Sequence, residues 1–187
     1  MRKTLLIIPG FKESTDETPY EELLRRNEKE YTVITHTPHW NNQTATDWVT
    51  DLKVTLRTID VEHTTVVSFS LGAYITLILA ESYSFQKVIL CSLSPFFSKH
   101  LPLIPPQAEK VLGVTRMKDF ATHKIPVNIQ CPAVFLFGEN EWPVAIKEAK
   151  RLAKKYNGEF TLVPNAPHKL TDKYIDVISR YTKENKL

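Results

Sequence analysis

At 187 residues, 42% hydrophobic and 24% charged, the chain has the proportions of one soluble globular domain, enough to bury roughly 70% of its unfolded surface. A net charge of +3, with 24 basic and 21 acidic residues, is too balanced to suggest nucleic acid as a partner, and no basic run is interleaved with aromatics. No apolar run reaches membrane-spanning length. The run Leu5–Ile8 is too short for a secretory h-region, and two cysteines make no disulfide framework, so the expected location is cytoplasmic with no membrane partner.

Thr4–Ile8 is a continuous apolar run, as expected of a strand buried on both faces, and it stops at Pro9-Gly10. Thr18-Pro19-Tyr20-Glu21 reads as a helix start in which Thr18 and Glu21 form a capping box. Tyr31–Thr37 is the second strand. Thr44 is the expected cap of a second helix, along which Trp48, Leu52, Leu56 and Ile59 recur at helical spacing. Thr64–Ser68 is the third strand. The helix after it, Leu71 to about Tyr83, is apolar nearly all round and so is expected to be buried.

Lys87–Cys91 and Pro132–Phe137 are the fourth and fifth strands. Ala145, Ala149, Leu152 and Tyr156 mark the next helix, with Gly158 just past its end. Glu159–Val163 is the sixth strand, and Leu170, Tyr174, Ile178 and Tyr181 mark a final helix. This alternation predicts an α/β protein with a parallel sheet in one domain spanning 1–187. Residues 94–127, rich in proline and aromatics, are too long for an ordinary connection and read as a lid or cap insertion. Cys91 and Cys131 fall at opposite ends of adjacent strands, roughly 15 Å apart at about 3.3 Å per residue. Both are therefore expected to be free thiols.

The turn Ser68-Phe69-Ser70-Leu71-Gly72 joins the third strand to the helix behind it. So sharp a turn needs small residues on either side of a strained central residue, and it leaves the Ser70 hydroxyl exposed at a helix N-terminus. Taken alone, Ser70 suits a plain helix N-cap equally well. The other strand ends decide between the two, because ligands of parallel sheets bind at the carboxyl edge. The first strand ends in Pro9-Gly10-Phe11, the fifth in a loop carrying Glu139 and Glu141, and the sixth in Pro164-Asn165-Ala166-Pro167-His168. A serine, a carboxylate and a histidine thus follow one another along a single edge. Gly10, Gly72 and Gly138, three of only five glycines, also lie in these turns.

With that order and those loops, the chain resembles the α/β-hydrolase superfamily over nearly its whole length. The resemblance implies a three-layer α/β/α sandwich of about six parallel strands in the order second, first, third, fourth, fifth, sixth. It implies Ser70 as nucleophile, His168 as general base and Glu141, by its motif position ahead of Glu139, as the acid. It further implies an oxyanion hole from the backbone N–H groups of Phe11 and Leu71. Ser68 stands where the family usually has glycine and Glu141 where aspartate is commoner, and the sequence begins at what would be the family's third strand. The resemblance implies no cofactor and no metal.

The expected activity is hydrolysis of a small-molecule ester, thioester or amide. Acyl transfer, a lyase reaction with the same triad, and a non-catalytic binding protein on this fold are the alternatives. Phe96, Phe97 and Trp142 are candidate pocket residues. An excess of Lys99, Lys110, Arg116, Lys118 and Lys124 over Glu109 and Asp119 in the insertion suggests carboxylate-bearing substrates. His36 and His39 lack a nearby cysteine or carboxylate and read as loop structure rather than a metal site. His63 reads as solvated, and His100 and His123 lie in or near the insertion, within possible reach of substrate.

Overall fold

The strands form because β-branched and aromatic side chains alternate between two buried faces. In the computed structural model, which describes residues 2–183, β1 (Lys3–Ile8), β2 (Tyr31–Thr35), β3 (Thr64–Phe69), β4 (Lys87–Cys91), β5 (Ala133–Gly138) and β6 (Glu159–Val163) pair in parallel in the order β2-β1-β3-β4-β5-β6. This is the order that the resemblance implies. The interior strands β3, β4 and β5 are buried at every residue, whereas the edge strands β2 and β6 carry exposed residues.

Each sheet face has its own core. Leu6, Ile8, Val66, Leu90 and Phe135 point into one, under α2 (Ala45–Leu56), α3 (Leu71–Leu79) and α6 (Pro143–Lys155). Leu5, Ile7, Val67, Ile89 and Val134 point into the other, under α1 (Thr18–Asn27) and α7 (Asp172–Lys183). Helices on both faces of a parallel sheet make the three-layer sandwich.

Two helix starts show how local chemistry sets the boundaries. The N-cap of α1 is Glu17, not Thr18: the Glu17 carbonyl accepts from Tyr20 N–H at 2.9 Å and Glu21 N–H at 3.0 Å. Thr18 therefore lies inside the helix and the expected capping box is absent. Pro19 falls within the first two helical positions, where an N–H has no helical partner to lose. Thr44 caps α2 as expected, and its N–H donates to Asp47 Oδ2 at 2.8 Å. That helix stops at Leu56, short of Ile59, and α3 ends at Leu79, short of Tyr83.

Between β4 and β5 the chain makes a 3₁₀ turn at Ser98–Leu103 and two short helices, α4 (Pro106–Leu112) and α5 (Val114–Phe120), divided by Gly113 with φ of 81°. The Arg116 guanidinium fastens this segment to the body. It donates to the carbonyls of Trp40, Gln43 and Leu112 at 2.6, 2.8 and 2.9 Å, and it lies over the Phe11 and Trp48 rings at 5.3 and 5.8 Å. Asp119 adds a second fastening by accepting from the N–H and hydroxyl of Thr46, at the start of α2. Cys91 and Cys131 are both free and buried, and burial pushes the Cys131 thiol up to about 12. Among the described residues, no helix is long and apolar enough to cross a membrane.

Candidate active site

The turn from β3 to α3 holds Ser70 at φ 52° and ψ −113°, a conformation that L-residues rarely adopt. Its neighbours hold it there. Ser70 N–H donates to the Cys91 carbonyl at 2.9 Å, and the Ser70 carbonyl accepts from Tyr74 N–H at 3.1 Å. A Cβ on Gly72 would come within 2.4 Å of the Pro9 carbonyl oxygen, so only glycine lets the start of α3 seat against the end of β1. Ser68 fits the flanking position fully buried.

The Ser70 hydroxyl does not cap its own helix. Its Oγ lies 2.9 Å from His168 Nε2 and 3.0 Å from Ser94 Oγ. On the far side of the imidazole, His168 Nδ1 is 2.8 Å from Glu141 Oε2. Serine, histidine and carboxylate therefore form one continuous hydrogen-bonded line, the arrangement that activates a hydroxyl through a neighbouring base. His168 is half-exposed, while the Glu141 side chain is buried.

Glu141, not Glu139, is the carboxylate that reaches His168. Glu139 is exposed and accepts from Asn165 N–H at 3.0 Å, which braces the loop carrying the histidine. The other oxygen of Glu141, Oε1, accepts from Gly138 N–H at 2.6 Å, from the Ser92 hydroxyl at 2.7 Å and from the Tyr174 hydroxyl. Burial alone would raise this carboxyl, but hydrogen bonds from His168, Tyr174 and Ser92 outweigh it and hold the group below its ordinary value. Gly138 allows the crowding, since a Cβ there would sit 2.2 Å from the Ala166 carbonyl oxygen.

Phe11 and Leu71 both line the cleft beside Ser70. Leu71 opens α3, where backbone N–H groups have no helical partner. The Phe11 loop is fixed by Glu13, whose Oε2 accepts from Gly10 N–H at 2.9 Å and from the Tyr20 hydroxyl. The Phe11 ring packs edge-on against Trp40 at 5.7 Å.

Phe96 lines the cleft on both sides of Ser94, and Trp142 lines the side nearer Glu141. Phe97 lines neither side. It is fully buried, with its ring 4.7 Å from Tyr74, and belongs to the core. None of the five basic residues that suggested carboxylate-bearing substrates lines the cleft, and two of them, Lys99 and Arg116, are engaged elsewhere. Lys99 Nζ lies 3.3 Å from Glu148, and Arg116 is held by three carbonyls. His36 is buried with Nδ1 2.9 Å from Thr55 Oγ1, and burial lowers its pKa. His63 is exposed beside Asp60, His100 Nε2 is 2.9 Å from Glu148 and His123 Nε2 is 3.1 Å from Thr46 Oγ1. Among the described residues, no group of three or more His, Cys, Asp or Glu side chains could hold a metal.

The sheet order and the flanking helix layers are those of the α/β-hydrolase superfamily. The sequence profile of the serine hydrolase family matches residues 5–176, and the chain belongs to that family. No curated protein matches significantly. Among solved structures, the chain is similar to the ydeN gene product from B. subtilis, at 19% identity and TM-score 0.72, covering 97% of this chain and 100% of that one. It is also similar to a putative hydrolase from Agrobacterium vitis S4, at 17% identity and TM-score 0.76, covering 97% and 87%. A third likeness is to Est1E from Butyrivibrio proteoclasticus, at 15% identity and TM-score 0.70, covering 97% and 85%. At these identities the likenesses establish the fold.

Proposed function

We propose that the chain is a carboxylesterase-like hydrolase of small acyl substrates that works through an acyl-enzyme on Ser70. The observation that carries this reading is the unbroken hydrogen-bonded line Ser70–His168–Glu141 opening into a cleft at the carboxyl edge of the sheet. His168 Nε2 takes the Ser70 proton as Oγ bonds to the acyl carbon, and Glu141 stabilises the resulting imidazolium. The N–H groups of Phe11 and Leu71 receive the oxyanion, a contribution of about 3–4 kcal/mol per donor in such sites. The C–O bond to the leaving group breaks as His168 returns the proton to it. Water then attacks the acyl-enzyme, giving its proton to His168, and the acid and free Ser70 are released.

The low cysteine count, two in 187 residues, supports a reducing compartment and hence a cytoplasmic location. A fluorophosphonate probe, which phosphonylates activated serines, tests the nucleophile. We expect labelling of the native protein and none of folded Ser70→Ala. Labelling that persists in the variant would move the chemistry to another residue, and an unlabelled, ester-inactive native protein would favour a binding role.

A further inference from the structure

The cleft above Ser70 divides into two arms. One encloses about 370 Å³ against Phe11, Leu71, Val111 and Leu112. The other encloses about 180 Å³ against Leu93, Pro95, Trp142 and Ala145. Ser94, Phe96, Ala108 and His168 line both arms and form the waist between them.

The reaction assigns a role to each arm. A tetrahedral centre on Ser70 Oγ carries an oxyanion, an acyl chain and a leaving group. The oxyanion must face the N–H groups of Phe11 and Leu71, which border only the larger arm. The leaving-group oxygen must lie within reach of His168 Nε2 to collect its proton. The smaller arm is bounded by His168 and Glu141 and has neither oxyanion donor, so it suits the departing alcohol. The acyl chain is left with the larger arm, along the apolar side chains of α4.

Charge narrows the substrate further. Among the described residues, neither arm is lined by a lysine or arginine, and the one carboxylate, Glu141, has both oxygens engaged. A charged substrate group would therefore meet no lysine or arginine in the lining and only the uncharged amide of Gln107 on α4, so its desolvation would go without an ion-pair partner. The larger arm is near the small end of ligand pockets, so it suits an aliphatic acyl chain rather than a bulky polycyclic group. The flat indole of Trp142 suits an aryl or short alkyl alcohol.

Resting on the Ser70 acyl-enzyme reading, we propose that the protein selects uncharged esters whose longer apolar acyl chain lies on Val111 and Leu112 and whose smaller apolar alcohol lies on Trp142. Such an ester, RCO–OR′, gives acyl-Ser70 and R′OH in the first step. Water then gives RCOOH and restores Ser70, so no further reactant is needed.

The test compares two ester series. The first varies the acyl group from acetate through butyrate to octanoate with a p-nitrophenyl leaving group. The second holds octanoate constant and varies the alcohol among phenyl, ethyl and 4-carboxyphenyl. We expect kcat/KM to rise more than tenfold from acetate to octanoate and to fall more than tenfold from phenyl to 4-carboxyphenyl. Val111 is exposed on α4, so Val111→Trp can narrow the larger arm without repacking the core. It should collapse the octanoate-to-acetate ratio and leave the phenyl-to-ethyl ratio in place. Trp142→Leu should do the reverse.

A flat acyl profile, a preference for the 4-carboxyphenyl ester, or variants whose effects are exchanged would overturn the assignment of the arms. Fluorophosphonate labelling of the same preparations separates the two readings. Labelled, acetate-hydrolysing protein with the wrong profile removes only this proposal, whereas unlabelled, inactive native protein removes the acyl-enzyme as well.

Discussion

Glu141 Oε1 accepts from three donors: Gly138 N–H, the Ser92 hydroxyl and the Tyr174 hydroxyl. The Tyr174 and Ser92 hydroxyls join His168 in holding the carboxyl below its ordinary value against the upward push of burial, and the three bonds to Oε1 leave Oε2 to face His168. Tyr174 is thus a positioning residue, and burial together with the Glu141 charge raises its own pKa far above the ordinary tyrosine value. A hydrogen bond to a charged group contributes about 1.5–3 kcal/mol. Tyr174→Phe is therefore expected to lower kcat roughly tenfold or more while KM changes little, and Ser92→Ala to do the same more weakly. Steady-state kinetics on one ester checks this, and a loss confined to thermal stability would make the contact merely structural. Ser70, Glu141 and His168 were legible in the sequence because each closes a strand at one edge. Ser92 and Tyr174 were not, because Tyr174 lies on the apolar stripe of α7 and meets Glu141 only when that helix packs under the sheet. The signal available was the Ser92 hydroxyl, which directly follows β4 at the same edge of the sheet as Ser70.

At the scale of elements, the interior strands were legible as apolar runs because both of their faces are buried, and the edge strands β2 and β6, which carry exposed residues, were legible from their β-branched and aromatic residues. The interior of 94–127 was not readable, because α4 and α5 are too short for a periodic pattern and break at Gly113. Its basic residues were assigned by charge alone, and geometry gives Arg116 a different task. The guanidinium spans from α5 to the carbonyls of residues 40 and 43 and covers the Phe11 ring, so it couples the insertion to the loop proposed to bind the oxyanion. A lysine keeps the charge but neither the planar fork nor the flat face. Arg116→Lys is expected to lower unfolding stability by about 1–3 kcal/mol, measured by urea titration, and to reduce kcat/KM through the freed Phe11 loop. An unchanged urea midpoint would show that the three carbonyl bonds contribute nothing net.

Across the whole molecule, several buried or half-buried ionisable groups push stability in the same direction with pH. Glu148, on α6, would be raised by burial, but bonds from Arg151 at 2.6 and 2.8 Å and the nearby His100 at 2.9 Å hold it far below its ordinary value. Lys99 lies 3.3 Å from the same oxygen, so this one carboxylate joins α6 to the 3₁₀ turn of the insertion. Glu141 is also depressed. A carboxyl whose pKa is lower in the folded state binds fewer protons there than when unfolded. Its contribution is therefore complete above the ordinary carboxylate range, about 4.3, and is lost as pH falls through the folded value. His36 acts in the same sense. Burial lowers its pKa, so the folded state resists protonation and stability falls as pH drops below the ordinary histidine value of about 6.5. Urea midpoints should thus decline from about pH 7 downward, first through His36 and then more steeply below about pH 4.3, where the contribution of the depressed carboxylates is lost. Glu148→Gln should be less stable than the native protein near neutrality and approach it in acid, because the variant has no carboxylate left to protonate. Parallel curves for variant and native protein would show that the Glu148 cluster does not drive the acid loss, leaving Glu141 and His36 to account for it.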